Sequence, residues 1–199
     1  LAAALEARGV VILRERVAAI DVAQGSVVGV RGERAAHRAD AVVICAGAWS
    51  EQLLRPLGFR LPLESQRGYH ITLRDSGISI TRPIVAADRK VFITPQETGL
   101  RVGGTVEFGG LTAPASVERI NLLRADLSAV FPQVRTDGEQ SQWMGHRPCF
   151  PDSMPVLGKC SKFPGLSVAF GHGHLGLTGA AVSAEIVARD LFGLAPKLD

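Results

Sequence analysis

The residues best suited to chemistry are concentrated in the last third of the chain. The segment 143–158 places Arg147 in an apolar stretch beside Pro148 and Pro151, which stiffen its backbone. A planar guanidinium can make two parallel charge-assisted hydrogen bonds to a carboxylate, so Arg147 is a candidate for binding a carboxylate substrate. The alternative is a structural ion pair, for example with Asp152. The residue alone leaves both interpretations open.

A glycine-rich run, 171–179, follows this segment and opens a predicted helix. Glycines let a ligand approach the backbone closely, and the free N–H groups of a helix N-terminus favour negative charge. The run is therefore a candidate site for a phosphate or for the electron-rich pyrimidine end of a reduced flavin. A turn fixed only by packing is the alternative. His172 and His174 have no evident third ligand, so no metal site is predicted.

Two further segments carry weaker signals. The apolar run 41–45 ends at Ala46 and Gly47, small residues that allow a ligand to approach the backbone, or simply form a tight turn. Adjacent strand residues point to opposite faces, so at most one of Tyr69 and His70 faces a given site. Tyr69 could donate a hydrogen bond to a carboxylate, whereas His70 is more easily explained as structural.

Composition describes a globular chain of 199 residues, with 46% hydrophobic residues and 22 glycines. The net charge of +3 comes from scattered Lys and Arg, which gives no support to nucleic-acid binding. The three cysteines form no C-x-x-C pair, which favours a reducing compartment or a buried apolar role over a disulfide framework. No transmembrane run or signal peptide is visible. The chain begins without Met in what is predicted to be the end of a helix closing at Gly9, so we expect a piece of a longer protein.

Hydrophobic periodicity predicts three parts in order: α/β, then antiparallel β with one helix, then α/β again. The first part holds a strand at 10–14, a hairpin within 17–31, a strand at 41–45 buried on both faces, and a helix at 51–57 capped by Ser50. The second holds strands at 66–73, 84–87, 90–94, 100–106 and 140–144 and a helix at 116–130. A strand at 166–170 and a helix at about 176–192 complete the chain. One domain is thus interrupted by another.

Five motifs occur in an order that points to a known family. They are Asp-Ala-Val-Val-Ile-Cys-Ala-Gly-Ala-Trp-Ser at 40–50, Arg-Gly-Tyr-His at 67–70, Val-Gly-Gly-Thr-Val-Glu at 102–107, the segment 145–158 with its His-Arg-Pro and Pro-Asp pairs, and Gly-His-Gly-His-Leu-Gly-Leu-Thr at 171–178. Together they resemble the FAD-dependent D-amino-acid oxidase and dehydrogenase family, which includes glycine and sarcosine oxidases. The resemblance covers nearly the whole chain from Val10 onward.

The resemblance implies an α/β (α+β) fold, in which part of a Rossmann-like FAD-binding domain is interrupted by an antiparallel β-sheet substrate domain. Residues 1–60 are then a partial FAD-binding domain, 61–142 the substrate-binding domain, and 143–199 the return to the FAD-binding domain. The family's amino-terminal βαβ unit with its G-x-G-x-x-G motif is absent. We therefore expect the carboxy-terminal part of a FAD enzyme, which on its own binds FAD weakly or not at all.

The resemblance also implies site residues. Arg147 would bind the substrate carboxylate, with Tyr69 and His70 as further substrate-binding candidates. The implied FAD-contacting residues are Val17, Ala46, Gly47, Trp49, Gly171, His172, Gly173, His174, Leu175, Gly176 and Thr178. No side chain is expected to be an obligatory base, because hydride passes from the substrate α-carbon to flavin N5. Sarcosine oxidases attach flavin through a cysteine at the place of Gly145, so non-covalent FAD is implied here. Arg101 stands where those oxidases carry an oxygen-activating lysine, which favours a dehydrogenase.

The expected function is FAD-dependent oxidation of the C–N bond of a small (D-)amino acid to an imino acid, as in D-amino-acid dehydrogenases. A quinone or another electron-transfer acceptor would take the electrons. Two alternatives stay open: a glycine/sarcosine-type amine oxidase, and a non-catalytic subunit or binding module of a heteromeric flavoprotein. We expect a cytoplasmic protein without a nucleic-acid partner, and leave open peripheral membrane association and oligomerisation of the full-length enzyme.

Overall fold

The computed structural model describes residues 1–137 and 140–194, with only the backbone described for Gln140. The helices are α1 (Ala2–Glu6), α2 (Ser50–Leu54), α3 (Val117–Val130) and α4 (Gly176–Leu191), with 3₁₀ turns at Gly47–Trp49 and Arg55–Leu57. The strands are β1 (Val17–Ala23), β2 (Ser26–Gly32), β3 (Ala36–Arg38), β4 (Val42–Ile44), β5 (Glu64–Leu73), β6 (Ile84–Ala86), β7 (Val91–Gln96), β8 (Gly99–Phe108), β9 (Gln140–Cys149), β10 (Val156–Lys159) and β11 (Leu166–Phe170). The chain divides into two compact units.

Unit 1 comprises Leu1–Leu61, Val156–Phe170 and the chain from Thr178 onward. β1 and β2 form an antiparallel hairpin, and β3 pairs antiparallel with β2. In a second three-stranded sheet, β11 lies between β10, to which it is antiparallel, and β4, to which it is parallel. Parallel neighbours need a long crossover connection. The parallel pairing of β4 and β11 agrees with the α/β class that the sequence predicted for these segments.

Three local predictions in unit 1 are wrong. Residues 10–16 form no strand, and Val10 to Leu13 are exposed, because no described strand lies beside them to pair with their backbone groups. The strand predicted to be buried on both faces is an edge strand in which Val43 is 36% exposed and only Ile44 is buried. Ser50 is not a cap: a 3₁₀ turn leads straight into α2, and the buried Ser50 hydroxyl has no hydrogen-bond partner among the described residues.

Unit 2 comprises Pro62–Pro155 and Gly171–Leu177 and is built on a five-stranded antiparallel sheet with the order β6-β7-β8-β5-β9. α3 covers one face of this sheet, and the core between them consists of Tyr69, Ile71, Leu73, Val91, Ile93, Leu100, Val102, Ile120, Leu123 and Leu127. The hydroxyl of Ser116 accepts a hydrogen bond from the Arg119 N–H at 3.2 Å and so caps α3. The sequence predicted that the helix begins at this residue. The antiparallel sheet and its single helix are confirmed.

β9 is longer than predicted and includes the predicted ligand Arg147. It continues past Met144 to Cys149 and pairs with β5 along its whole length, from Leu73↔Gln140 to Glu64↔Cys149. Its glycine and proline residues concealed the strand in the sequence, but an edge strand tolerates a proline that cannot donate to the ladder. The sequence placed the return to the first domain at residue 143, whereas the chain stays in unit 2 to Pro155 and re-enters it for 171–177.

Candidate functional site

The two faces of the unit 2 sheet have different roles. Side chains alternate along a strand, and in β5 those of Tyr69 and Ile71 pack beneath α3. Gln66, Gly68 and His70 border a cavity on the other side, which we call the open face. Pairing with β9 brings Arg147 opposite Gln66 and Trp143 opposite His70, and pairing with β8 brings Arg101 opposite Thr72. The predicted ligand Arg147 therefore lies on the open face.

The cavity on the open face has a volume of about 670 Å³. It is lined by Gln66, Gly68, Tyr69, His70, Lys90, Phe92, Arg101, Gly103, Gly104, Thr105, Val106, Trp143, Arg147 and His174. Lys90, Arg101 and Arg147 are cations, and none of the lining residues is a carboxylate. A concave site lined by charges of one sign raises the local concentration of a ligand of the opposite sign. The arrangement favours an anionic ligand.

The guanidinium of Arg147 lies directly on the backbone of Gly68. A Cβ atom on Gly68 would overlap the guanidinium nitrogens, so any side chain there would displace Arg147. Within residues 1–137 and 140–194 no carboxylate pairs with Arg147, and Asp152 instead accepts a hydrogen bond from the Met154 N–H at 3.0 Å. The ion pair with Asp152 that the sequence left open is not formed. The planar donor fork of Arg147 therefore remains available to a ligand.

Tyr69 requires a correction. Although it borders the cavity, the residue is 2% exposed, and its hydroxyl is engaged on the helix side of the sheet. The hydroxyl donates to Glu107, and it accepts from Arg67 Nη2 at 2.8 Å and from the Ser116 N–H at 3.1 Å. A phenol has one proton to donate, so Tyr69 could bond a substrate carboxylate only by giving up Glu107. The structure does not support Tyr69 as a substrate ligand.

His70, which the sequence favoured as structural, is the one of the two whose side chain faces the cavity. Its ring stacks on Trp143 with 4.9 Å between ring centroids and 20° between the planes. Burial lowers the pKa of His70, and the positive charge of Arg101 lowers it further. The imidazole is therefore neutral at pH 7, and with the Trp143 ring it forms a flat aromatic wall beside the cationic groups.

The glycine-rich turn is tied to the end of β9. Gly173 N–H donates to the Pro148 carbonyl at 2.8 Å, and Cys149 forms an antiparallel bridge with His172. Gly171 has φ +90°, and a Cβ there would lie 2.5 Å from the Phe150 ring, so only glycine fits. His174 reaches the cavity that contains Arg147. His174 is thus the one residue of the turn that lines the open-face cavity.

The spacing Gly171, Gly173, Gly176 also satisfies the pattern G-x-G-x-x-G, which the sequence analysis overlooked in this position. The run follows β11 and opens α4, as a dinucleotide fingerprint does. No further strand follows α4 in the described part of the chain, so the βαβ unit is not completed there. A pattern search of this region would have found the glycines without showing their role. Leu175 is 55% exposed and Thr178 lies in the first turn of α4.

Unit 1 has a separate cavity of about 860 Å³. It is lined by Arg16, Val17, Ala18, Ile20, Val30, Glu33, Val42, Val43, Ile44, Cys45, Ala46, Trp49, Gln52 and Leu53. Three predicted cofactor residues, Val17, Ala46 and Trp49, meet here although their elements are far apart in sequence. Gly47, with φ +55°, begins the 3₁₀ turn between Ala46 and Trp49. A largely apolar cleft next to small residues fits a flat, apolar part of FAD.

Two other kinds of site can be compared with the structure. In the described ranges no three His, Cys, Asp or Glu side chains are grouped so as to hold a metal ion. None of the helices described is long and apolar enough to cross a bilayer. Sequence reasoning missed Gly68, Lys90 and Thr105 as lining residues. The usable signal was glycine inside a strand, which marks a close approach to the backbone.

Comparison with known proteins shows the family of the chain. The model of the FAD dependent oxidoreductase (DAO) family matches residues 1–189. The chain belongs to this family of FAD-dependent flavoproteins.

The chain is 36% identical over 195 residues to a D-amino-acid oxidase of Bradyrhizobium diazoefficiens, covering 96% of this chain and 46% of that protein. It is 35% identical over 202 residues to a D-amino acid dehydrogenase of Rhizobium johnstonii, covering 100% of this chain and 48% of that protein. The crystal structure of iminodiacetate oxidase from Chelativorans sp. BNC1 matches with a TM-score of 0.81 at 22% identity, over 94% of this chain and 51% of that one. The fold class predicted from the sequence is confirmed, and the chain spans about half the length of the curated relatives it matches.

Proposed function

We propose that the protein carrying this chain is a FAD-dependent oxidoreductase that oxidises the C–N bond of a small amino acid, as D-amino-acid dehydrogenases do. The observation that carries the proposal is the guanidinium of Arg147, which has no carboxylate partner in the part of the chain that the structure describes. It lies on Gly68 in a cavity lined by three cations and no carboxylate. Such a group is suited to the α-carboxylate that every amino-acid substrate carries. The names of the relatives support the same substrate class.

The residues of the chain would bind and orient the substrate. Bound FAD supplies the acceptor for the hydride that leaves the substrate α-carbon. Arg147 holds the substrate carboxylate through two parallel hydrogen bonds, and its seat on Gly68 fixes their direction. The neutral ring of His70 and the ring of Trp143 pack beside the substrate without adding a positive charge next to its amine. Catalysis then depends on orientation and electrostatics rather than on a side-chain base.

Val17, Ala46, Gly47 and Trp49 in unit 1 would hold one part of FAD. The glycine-rich turn in unit 2, with His172, Gly176 and the neighbouring Thr178, would contact another. The FAD is proposed to be non-covalent. Position 145 carries no nucleophile, and a Cβ there would overlap the Trp143 ring. The nearby Cys149 is buried, and burial raises the pKa of its thiol, which disfavours the reactive thiolate.

The electron acceptor is proposed to be a quinone or another electron carrier rather than oxygen. Arg101 borders the cavity where the resemblance places the oxygen-activating lysine of sarcosine oxidases. A membrane quinone would bring a cytoplasmic enzyme to the membrane surface, so peripheral association belongs to the same proposal. Reoxidation of the reduced flavin should be fast with a quinone and slow with oxygen. Rapid hydrogen peroxide formation with a D-amino acid would instead favour the glycine/sarcosine-type oxidase.

Arg147→Lys in the full-length protein tests the function directly. A lysine keeps the charge but loses the fork, so we expect KM to rise and kcat/KM to fall by about ten- to hundred-fold, with an unchanged unfolding temperature. Arg82→Lys, an exposed arginine of the same unit, is the matched control. An unchanged KM would remove Arg147 from the site. A full-length protein that holds FAD but oxidises no amino acid would favour the non-catalytic subunit.

A further inference from the structure

Thr105 combines two unusual features. Its φ of +61° lies in the left-handed region, which a β-branched side chain rarely adopts. Its hydroxyl oxygen is buried and has no hydrogen-bond partner among the residues the structure describes. Gly103 and Gly104 stand immediately before it and could take a left-handed conformation without strain. The strain is instead borne by the one residue of this run that has a hydroxyl.

The conformation of Thr105 results from a bulge between β5 and β8. Arg67 pairs with Glu107 and Tyr69 pairs with Gly104, so Gly68 alone faces the two residues Thr105 and Val106. A bulge of this kind leaves one residue unpaired and redirects its neighbours, and bulges are frequent next to active sites. Gly68, the residue opposite this bulge, is also the residue that supports the guanidinium of Arg147.

The bulge is held in place from the helix side of the sheet. Arg67, whose side chain is 1% exposed, pairs with Glu107 at 2.7 Å, and Tyr69 also donates to Glu107. Arg67 further donates to the carbonyls of Ala113 and Pro114 at 2.8 and 2.6 Å. Arg67 and Tyr69 belong to β5, so this network fixes Glu107 to β5. Gly104 also pairs with β5, and Thr105 is therefore held between two fixed residues. A strained residue persists when its surroundings over-determine it, as they do here.

From these observations we infer that Thr105 is a substrate-contacting residue, whose hydroxyl donates to the same carboxylate that Arg147 holds. The inference rests on the proposed function and adds a second donor to it. Thr105 and Arg147 both border the open-face cavity, on either side of Gly68. Each carboxylate oxygen has two lone pairs, so a carboxylate that accepts both bonds from Arg147 can also accept one from a hydroxyl. Rotation about the Cα–Cβ bond turns the hydroxyl from its unpartnered position to the ligand.

The inference makes opposite predictions for stability and for activity. In the ligand-free protein the unpartnered hydroxyl is a cost, so Thr105→Val, which keeps the shape, should leave the unfolding temperature unchanged or raise it. In the full-length enzyme the same variant should lose about ten-fold in kcat/KM, mainly through KM, because one hydrogen bond to a charged group is gone. Thr105→Ser should restore most of the loss. Thr94→Val, a threonine of β7 outside the cavity lining, is the matched control.

A binding measurement with a short carboxylate that has no amino group, such as propionate, shows whether Thr105 contacts the carboxylate of the substrate. This measurement requires no turnover. Thr105→Val should raise the inhibition or dissociation constant of propionate by about the factor by which kcat/KM falls. The same variant should leave the constant of propylamine unchanged.

If Arg147→Lys loses activity and Thr105→Val loses neither activity nor carboxylate affinity, Thr105 is not in contact with the substrate and the inference is overturned. A lower unfolding temperature with unchanged kinetics would overturn it equally, by making Thr105 structural. If no amino acid is oxidised at all, the proposed function fails, and propionate binding still decides the role of Thr105.

Discussion

Arg67 and Arg147 lie on opposite faces of the same sheet, and they show how differently two arginines can be used. Arg67 is buried on the α3 side and has a partner for most of its donors: Glu107, Tyr69 and the carbonyls of Ala113 and Pro114. Arg147 lies on the open face, on bare backbone, with no carboxylate partner among the described residues. The same side chain is a structural anchor on one face and an available anion-binding group on the other.

The partners of an arginine, more than its neighbours in the sequence, decide its role. Both arginines stand close to a glycine in the sequence: Arg67 directly precedes Gly68, and Arg147 comes two residues after Gly145. An arginine whose donors are satisfied by the protein has nothing to offer a ligand except through its positioning of other groups. An unpaired guanidinium in a concave site has its donors available, so the two residues should respond to substitution in opposite ways.

The largest effect should follow the removal of Arg67. Arg67→Met keeps much of the volume, but it leaves Glu107 with only the Tyr69 hydroxyl as a donor and leaves two carbonyls without theirs. A broken buried pair strongly destabilises a fold. We expect the unfolding temperature to fall by roughly 10 °C, measured by circular dichroism, or the protein to be insoluble. Arg82→Met at an exposed position should change it by much less. An Arg67→Met variant as stable as the wild type would end the distinction between the two arginines.

Gly68→Ala should have a smaller effect, and on activity alone. The added methyl group overlaps the guanidinium of Arg147, which lies at the end of a flexible side chain and can move aside. We expect kcat/KM of the full-length enzyme to fall about ten-fold, with the unfolding temperature almost unchanged. Because the effect passes through Arg147, Gly68→Ala combined with Arg147→Lys should lose little more than Arg147→Lys alone. Additive losses in this double-mutant cycle would show that Gly68 acts on something else.

The smallest effect concerns a carboxylate of unit 1, which extends the comparison to acidic groups. Glu15, whose side chain is 8% exposed, bonds His37 at 2.9 Å and the backbone N–H of Ala35 at 3.0 Å. His37 together with the Arg34 N–H lowers the pKa of Glu15 to about 2. A carboxyl pKa lowered on folding stabilises the protein above its unfolded value near 4.5. That contribution is lost as the pH falls from about 4.5 towards 2.

Glu15→Gln cannot titrate, so it should flatten this acid dependence. Between pH 6 and pH 3 the unfolding temperature of the wild type should drop by a few degrees more than that of Glu15→Gln. Glu185→Gln, an exposed carboxylate of α4, serves as the control because it should leave the wild-type slope unchanged. Equal slopes for wild type and Glu15→Gln would mean that the contacts of Glu15 do not stabilise the folded state.

Local signals were the part of the structure that sequence could predict. α3 begins next to Ser116, where the sequence predicted the start of a helix, and β5, β7 and β8 lie where alternation predicted strands. These signals succeed because they act over a few residues. The prediction of a strand at 10–14 was wrong because a strand also needs a neighbouring strand to pair with. Hydrophobic periodicity does not show whether such a neighbour exists. β4 was expected to be buried on both faces, and it lies at an edge for the same reason.

The site was harder to predict than the fold because it depends on which face is covered. Alternation established that Tyr69 and His70 point apart, but only the packing of α3 shows which of them lies in the core. Arg147 was found from its chemistry, whereas its unpaired state required knowledge of every nearby carboxylate. Thr105 could not have been found, because the bulge that turns its backbone depends on pairing with a strand about 40 residues earlier in the chain.

Gly145 also limits how this protein could evolve. Its backbone lies under the Trp143 ring, which in turn stacks on His70. A cysteine appearing at this position, where the resemblance places the flavin-linking cysteine of sarcosine oxidases, would first push Trp143 away from His70. The mutation that introduces the cysteine would therefore also remove the aromatic wall formed by Trp143 and His70. A route to tethered flavin therefore passes through an earlier, separately tolerated replacement of Trp143, which makes the order of the two changes an example of epistasis.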